Sequence, residues 1–452
     1  MNQSSRRDRS APRWIVTAAC ALAAALGPAG VHTASTGQSE LDPKSLARAL
    51  TPHVSANRFP EQVYLNAGGR DLSATIRYTL DLRLQYALRQ TYDLYDPDYG
   101  AFVAINPDTG EILAMHSHTR AGMPPAGNLA LSATSPAASI FKIVTAAAAL
   151  DRGLLEPDSV IPYTGRSHTL YQRQVLGAPG AAAKRPVKVS GSRNTAATKG
   201  AKSSSVKKWS SFKRVPAVRQ PTLTDAFADS VNPVFARIGV QRLGANVLND
   251  YAQRFGFNRD IICGVEMPVS VTGFSRGNAW SVAEAASGYT RETTMSPLHG
   301  AMIAGTAIAD GMMMRPQLVD AVVDSEGVIL HLPQPQEWGR AIAPDAARKL
   351  RRLMTETVQT GTARRSFADF FEGPRARVEV GGKTGTLNGE HPRGRNDWFV
   401  GYATDGQRRI AFASHCVHQT ETAVKSAFVA RRVLEAFFAS AGGATVSSAS
   451  RP

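Results

Sequence analysis

The sequence predicts an α+β fold, an antiparallel sheet with helices packed against it. Three observations predict it. Two β-rich runs, residues 101–105 and 111–115, flank Asn106-Pro107-Asp108-Thr109-Gly110, a composition suited to a turn between antiparallel strands. A run without charge, residues 143–150, follows and reads as a buried helix. Near the C-terminus, residues 398–403 and 409–413 repeat the strand composition across Asp405-Gly406. A hairpin followed by helices and closed by a second strand pair is an α+β order, not a βαβ alternation.

Composition sets the outer limits. At 452 residues the chain holds two or three average domains, or one large domain with attachments. A hydrophobic content of 43% supports a sizeable core. The net charge of +16 suggests nucleic acid until it is located. Between Lys184 and Arg219 there are eleven Lys or Arg and no Asp or Glu, so most of the excess belongs to one segment. The cysteines are Cys20, Cys263 and Cys416, with no Cys-x-x-Cys pattern; the last two are free to pair. The histidines lack metal-ligand spacing, so no metal or cofactor is expected.

In chain order, Arg6, Arg7, Arg9 and Arg13 precede an apolar stretch over residues 14–26. This is the form of an export signal; the stretch is short against the roughly 17–25 residues of a spanning helix. Residues 1–35 are therefore read as a signal peptide or an N-terminal membrane anchor. Either sends the chain into a bacterial cell envelope, periplasmic and anchored in the inner membrane or secreted. Residues 36–74 are polar and weakly periodic, and read as a linker with a short helix over 45–50. Residues 74–80 alternate like a strand, and Asp81 is placed to cap a helix over 82–88. The main domain runs over 75–440, with 441–452 as a disordered tail. Within it, residues 177–219 are rich in Gly, Ala, Ser, Lys and Thr, too poor in apolar side chains to offset ordering entropy. They are expected to be a disordered insertion. It is either a solvated loop or a hook for anionic lipid or wall polymer, with Trp209 and Phe212 adding interfacial contacts; nucleic acid is not expected.

Three segments carry chemistry. The first is Ser139-Ile140-Phe141-Lys142 at the front edge of the 143–150 helix. Residues three apart share a helix face, with Cβ atoms about 5–6 Å apart. A serine needs a base within reach and amide donors near the carbonyl it attacks. A lysine is such a base only if its environment favours the neutral amine. Ser204/Lys207, Ser205/Lys208 and Ser210/Lys213 share the spacing but lie in the basic tract, with no apolar helix behind them. The second is Ser230-Val231-Asn232, on a turn between two helical stretches, residues 222–228 and 234–240; Ser192-Arg193-Asn194 is a decoy in the tract. Helix capping is the plain use of such residues. The third is Lys383-Thr384-Gly385-Thr386 at the end of a strand, where Gly381, Gly382 and Gly385 let another molecule approach the backbone.

Ser-x-x-Lys, Ser-x-Asn and Lys-Thr-Gly in this order are the set found in penicillin-binding proteins and serine β-lactamases. The chain resembles the transpeptidase domain of class B penicillin-binding proteins over roughly residues 75–438. Thr79-Leu80-Asp81 with Gln85, the hairpin Asn106 to Met115, Ser296-Pro297-Leu298-His299-Gly300-Ala301 and Trp398-Phe399-Val400-Gly401-Tyr402 carry the likeness beyond the motifs. The resemblance implies a five-stranded antiparallel sheet with flanking helices beside an all-helical subdomain. It implies Ser139 as nucleophile on D-alanyl-D-alanine stem peptides of peptidoglycan, Lys142 as base, and Ser230, linked to Lys142 and Lys383, as proton relay. Asn232 would hold the substrate amide. Lys383, Thr384 and Thr386 would bind the terminal carboxylate, with Gly385 among the substrate-binding residues and the amides of Ser139 and Thr386 as oxyanion hole. β-Lactams would be covalent inhibitors. Only about forty residues stand where the family carries a pedestal domain, and Ala138 stands where glycine often precedes the serine.

The same residues serve a DD-transpeptidase and a DD-carboxypeptidase or endopeptidase, which differ in acceptor. A class A β-lactamase needs a deacylating Glu-x-x-x-Asn loop, and none lies between Ser230 and Lys383. A β-lactamase stands behind these two readings as an alternative, and a non-catalytic envelope protein or β-lactam sensor behind it.

Overall fold

A computed structural model of the chain describes residues 41–177, 217–274 and 277–439. The basic tract apart from its edges, the N-terminal signal or anchor and the C-terminal tail lie outside the described residues. Among the described residues, no helix is long and apolar enough to cross a membrane.

The chain begins with α1 (Pro43–Ser55), whose cap Asp42 accepts the Lys44 N–H at 3.1 Å. It continues in a hairpin, β1 (Gln62–Ala67) and β2 (Arg70–Tyr78), turned by Gly68 and Gly69 at positive φ. Next come α2 (Leu82–Tyr95), capped by Asp81, and the strands β3 (Tyr99–Ile105) and β4 (Ile112–Thr119). A 3₁₀ turn, Ala138–Phe141, runs into α3 (Lys142–Asp151). Short pieces follow: β5 (Tyr163–Thr164), α4 (Gln172–Leu176) and β6 (Val218–Arg219), with β5 and β6 paired. The helical part is completed by α5 (Leu223–Ala228), α6 (Asn232–Arg237), α7 (Gly244–Arg254) and α8 (Ala279–Ser287). Helix α9 (Pro297–Gly305) leads to β7 (Met312–Met314), β8 (Val319–Asp324), β9 (Ile329–His331) and β10 (Glu337–Arg340). Helix α10 (Pro344–Gln359), the strands β11 (Glu379–Glu390), β12 (Arg393–Thr404) and β13 (Arg409–His418), and α11 (Ser426–Phe437) finish it.

The central sheet has five antiparallel strands in the order β11-β12-β13-β3-β4. Period-two alternation divides its side chains between two cores. On one face Trp398, Val400, Tyr402, Ala411 and Val103 meet α9 and the helical part. On the other, Phe399, Phe412, Phe102 and Ala104 meet α2 and α11. Helix α9 is buried all round, and Gly300 lets it lie on the sheet: a Cβ there would stand 3.1 Å from that of Ala413 and 2.6 Å from Met295 Cε. This is the α+β architecture predicted.

The linker expected over 36–74 is corrected from residue 41 onward. Leu46, Leu50 and Val54 of α1 and Val63, Leu65 and Ala67 of β1 belong to the main core. β1 and β2 join β8 and β9 in a second sheet, order β1-β2-β8-β9. Gln62-Val63-Tyr64-Leu65-Asn66-Ala67 alternates exposed and buried, a pattern too short and polar to stand out until its partners are known. Cys263 and Cys416 do not pair; both are free and buried, one in each core.

Buried histidines give the fold an acid limit. Burial pushes His116 and His299 down to about 4 and His415 down to about 3. Unfolded, they titrate near 6.5 and bind protons that the native state refuses, so stability is full above that value and is lost as pH falls toward 4. The melting temperature is expected to fall already between pH 6.5 and 5.5, above the carboxylate range; a flat profile there contradicts the assignment.

Candidate active site

Ser139 sits second in the 3₁₀ turn, half-buried, and Lys142 is the first residue of α3, with no exposed surface. The first amide used inside the turn is that of Ile140, bonded to Ala137 O at 3.1 Å, so the Ser139 N–H stands outside the turn's own ladder. Ala138 holds φ +49°, a left-handed conformation that disfavours side chains, which explains why glycine suits this place. Three anchors fix the segment. Trp398 Nε1 of β12 donates to Pro136 O at 3.0 Å, and its ring stacks on His415 at 3.8 Å. Asp151, at the far end of α3, accepts Tyr251 Oη at 2.6 Å and the Ala343 N–H at 2.7 Å. Gly288, which ends α8 at φ +65°, packs so closely that a Cβ would lie 1.9 Å from Ala138 O and 2.8 Å from Ser139 N.

The Lys142 amine reaches three oxygens: Ser139 Oγ at 2.7 Å, Asn232 Oδ1 at 2.7 Å and the Ser287 carbonyl at 2.5 Å. It has no carboxylate partner among the described residues. Burial and the nearby charge of Lys383 hold it well below the ordinary lysine range. A neutral amine has two hydrogens and one lone pair. The carbonyls of Asn232 and Ser287 can only accept, so they take the two hydrogens. The lone pair is left for the Ser139 hydroxyl, which donates. The geometry therefore makes the lysine a base toward this serine.

Ser230 lies on the turn between α5 and α6 at φ +57°, and lines the same cavity. The expected hydrogen bonds from Ser230 to Lys142 and Lys383 are not made; Asn232 takes the Lys142 donor instead. The Asn232 amide donates from Nδ2 to His168 O at 3.1 Å. Lys383, on β11, is fully buried over the Phe227 ring and donates to Thr384 O at 3.1 Å. Burial lowers it to about 7, while Asp229 opposes the fall.

β11 is an edge strand running beside the 3₁₀ turn; a Cβ added at Gly385 would stand 3.3 Å from Ala138 Cβ and from Ile140. Ser139, Ser230, Asn232, Thr384, Gly385 and Thr386 line one cavity of about 520 Å³, with the two lysines behind its wall. All three sequence segments thus converge. The competing Ser/Lys pairs and the Ser192/Asn194 decoy lie outside the described residues.

Sequence reasoning missed the Ser287 carbonyl, signalled only by Gly288 after a helical run. It also missed the segment after α10. Thr362 shares a hydrogen bond with the Thr384 hydroxyl at 2.6 Å, and Arg365 joins the cavity wall. Gly361 brings this segment against α5, since a Cβ would meet Ala228 O at 2.5 Å.

The family model for the penicillin binding protein transpeptidase domain matches residues 100–174 and 182–435. Among relatives, the peptidoglycan D,D-transpeptidase PbpA of Mycolicibacterium smegmatis is 28% identical over 349 residues, covering 70% of this chain and 61% of the relative. PbpA of Mycobacterium tuberculosis is 27% identical over 351 residues, with 71% and 62% covered. The chain thus spans about 61% of the length of these relatives. The solved D,D-transpeptidase domain of a peptidoglycan glycosyltransferase from Eggerthella lenta gives a TM-score of 0.59 at 24% identity, covering 80% of this chain and 82% of that one. The penicillin G acyl-enzyme complex of penicillin-binding protein A from M. tuberculosis gives 0.58 at 24%, covering 82% of each. At these identities the structures establish the fold.

Gly288→Ala is expected to fold less stably and to slow modification of Ser139 by at least about tenfold, because the added methyl overlaps the backbone that aims it. Acylation kinetics beside a melting curve check this; wild-type kinetics would contradict it.

Proposed function

Given that the chain belongs to the penicillin-binding protein transpeptidase domain family, we propose that it is a serine D-Ala-D-Ala transpeptidase of peptidoglycan cross-linking. The observation that carries this is the buried Lys142 amine, bonded to Ser139 Oγ and to two carbonyl oxygens with no carboxylate partner among the described residues.

The chemistry then follows. Ser139 Oγ attacks the carbonyl carbon between the two terminal D-alanines, and its proton passes to Lys142 Nζ. The oxyanion forms between the amides of Ser139 and Thr386; one such donor typically contributes about 10²–10³ in rate. The C–N bond breaks, and the departing D-alanine amine takes up a proton. We assign that transfer to Ser230, which lines the cavity: its hydroxyl gives the proton and recovers one from the Lys142 ammonium, a transfer that requires it to turn toward that amine. Asn232 orients Lys142 and has a second Nδ2 hydrogen for the substrate amide. Thr384 and Thr386 bind the terminal carboxylate, Gly385 gives backbone access, and Lys383 supplies positive charge behind them. The acyl group is then taken by an amine of a second stem peptide. Water in that place gives a DD-carboxypeptidase, the second outcome of the same site. A β-lactam enters as a mimic and stays as an acyl-serine, the state in which M. tuberculosis penicillin-binding protein A was solved. Such substrates put the protein in the cell envelope.

Labelling with a fluorescent penicillin is expected to place one stable adduct on Ser139, absent from Ser139→Ala. Labelling elsewhere, or none, would overturn the proposal. A stem peptide with and without an amine acceptor then separates transfer from hydrolysis: dimer formation supports the transpeptidase, and free D-alanine alone the carboxypeptidase.

A further inference from the structure

A second cavity, about 540 Å³, lies further along the same edge strand, at the tip of the β11–β12 hairpin. Arg291, Asn388, Glu390, Arg393, Arg395 and His418 are among its walls. It adjoins the first cavity by sequence on three elements. Thr386 and Asp397 line the first and Asn388 and Arg395 the second, two residues away on β11 and β12; Tyr289 and Arg291 stand in the same relation.

The charge there is unbalanced. Arg291 meets Glu390 at 3.4 Å, with both side chains largely exposed, a weak pair. Arg393 and Arg395 have no carboxylate partner among the described residues; Arg395 Nη2 donates only to the Thr422 hydroxyl, and its Nε is buried without a partner. His418 stands opposite Arg395 on β13 and is 2% exposed. Neither of its ring nitrogens completes a hydrogen bond of ordinary geometry, although the Val424 backbone lies near. Buried polar nitrogens without partners are costly and rare. The cavity itself offers the guanidinium groups of Arg393 and Arg395, neither met by a carboxylate among the described residues, a donor set suited to an incoming one.

We infer that this cavity is an anion subsite for the substrate: it takes a free carboxylate carried by the stem peptide upstream of the terminal D-alanine pair. The inference rests on the proposed function. A peptide extended along β11 advances about 3.3 Å per residue. With its terminal carboxylate at Thr384 and Thr386, its residues two to four places on reach the hairpin tip. Arg393 and Arg395 bind the carboxylate. The site thereby selects stems whose upstream residue is an acid over those in which it is an amide.

The test compares two D-Ala-D-Ala peptides that differ only in carboxylate or carboxamide at that residue. Wild type is expected to favour the acid by at least about tenfold in kcat/KM, as a charge-assisted pair supplies. Arg393→Gln, an exposed change, and Arg395→Gln are expected to remove the preference while leaving penicillin acylation of Ser139 at the wild-type rate, since that smaller molecule does not reach the tip. Equal rates for both peptides in wild type, with penicillin acylation intact, overturn the subsite and spare the active site. Loss of acylation by wild type sinks the function itself. If Arg393→Gln keeps the preference yet loses retention on vesicles of phosphatidylglycerol, the arginines serve a surface and the subsite is wrong.

Discussion

An amine taken out of water with no carboxylate beside it is the constraint on which this site depends. Desolvation penalises the charged form, by up to three to five pKa units in fully buried groups. Lys142 is in that position, and the positive charge of Lys383 pushes the same way. The neutral form must then place two hydrogens and one lone pair. The partners come from different parts of the fold: the acceptors Asn232 from the start of α6 and the Ser287 carbonyl from the end of α8, and the donor Ser139 from the 3₁₀ turn ahead of α3. Folding of the helical part and activation of the serine are one event.

The central sheet acts as a frame for that event. Trp398 ties β12 to the loop before Ser139, and β11 lies against the turn that carries it. His415 holds the underside of Trp398 and is bonded to Asn396 Oδ1 at 2.8 Å. The same edge strand passes the serine, then the two threonines, then the arginine-lined cavity at its tip. An extended peptide would meet these in sequence. Lys383, brought down to about 7 by burial, is the second lysine behind the wall of the Ser139 cavity, and its charge pushes Lys142 away from the ammonium form.

Much of this was legible in the chain. The turn Asn106 to Gly110 and the cap Asp81 each state a local geometry, and the structure has both in that form; Lys383 to Thr386, read as the end of a strand, lies instead in the middle of β11, which runs on to Glu390. The helix from Ile143 was plain because it carries no charge for eight residues. The second sheet was only partly legible: residues 74–80 read as a strand, but β1 is short and polar and β8, the partner of β2, comes some 240 residues later. The Gly68-Gly69 turn was the local sign of its hairpin. The relay through Ser230 was inferred from family likeness, and the competition of Asn232 for the same amine depends on side-chain directions that sequence does not carry. Backbone groups were hardest of all: the Ser287 carbonyl has no residue type to announce it.

The most direct test is the titration of the Lys142 amine itself, by NMR of the folded protein with labelled lysine and Lys142→Met as the assignment control. The account predicts an amine already neutral at pH 7, titrating well below the usual lysine range. A Lys142 resonance that remains that of an ammonium up to pH 9 would contradict it.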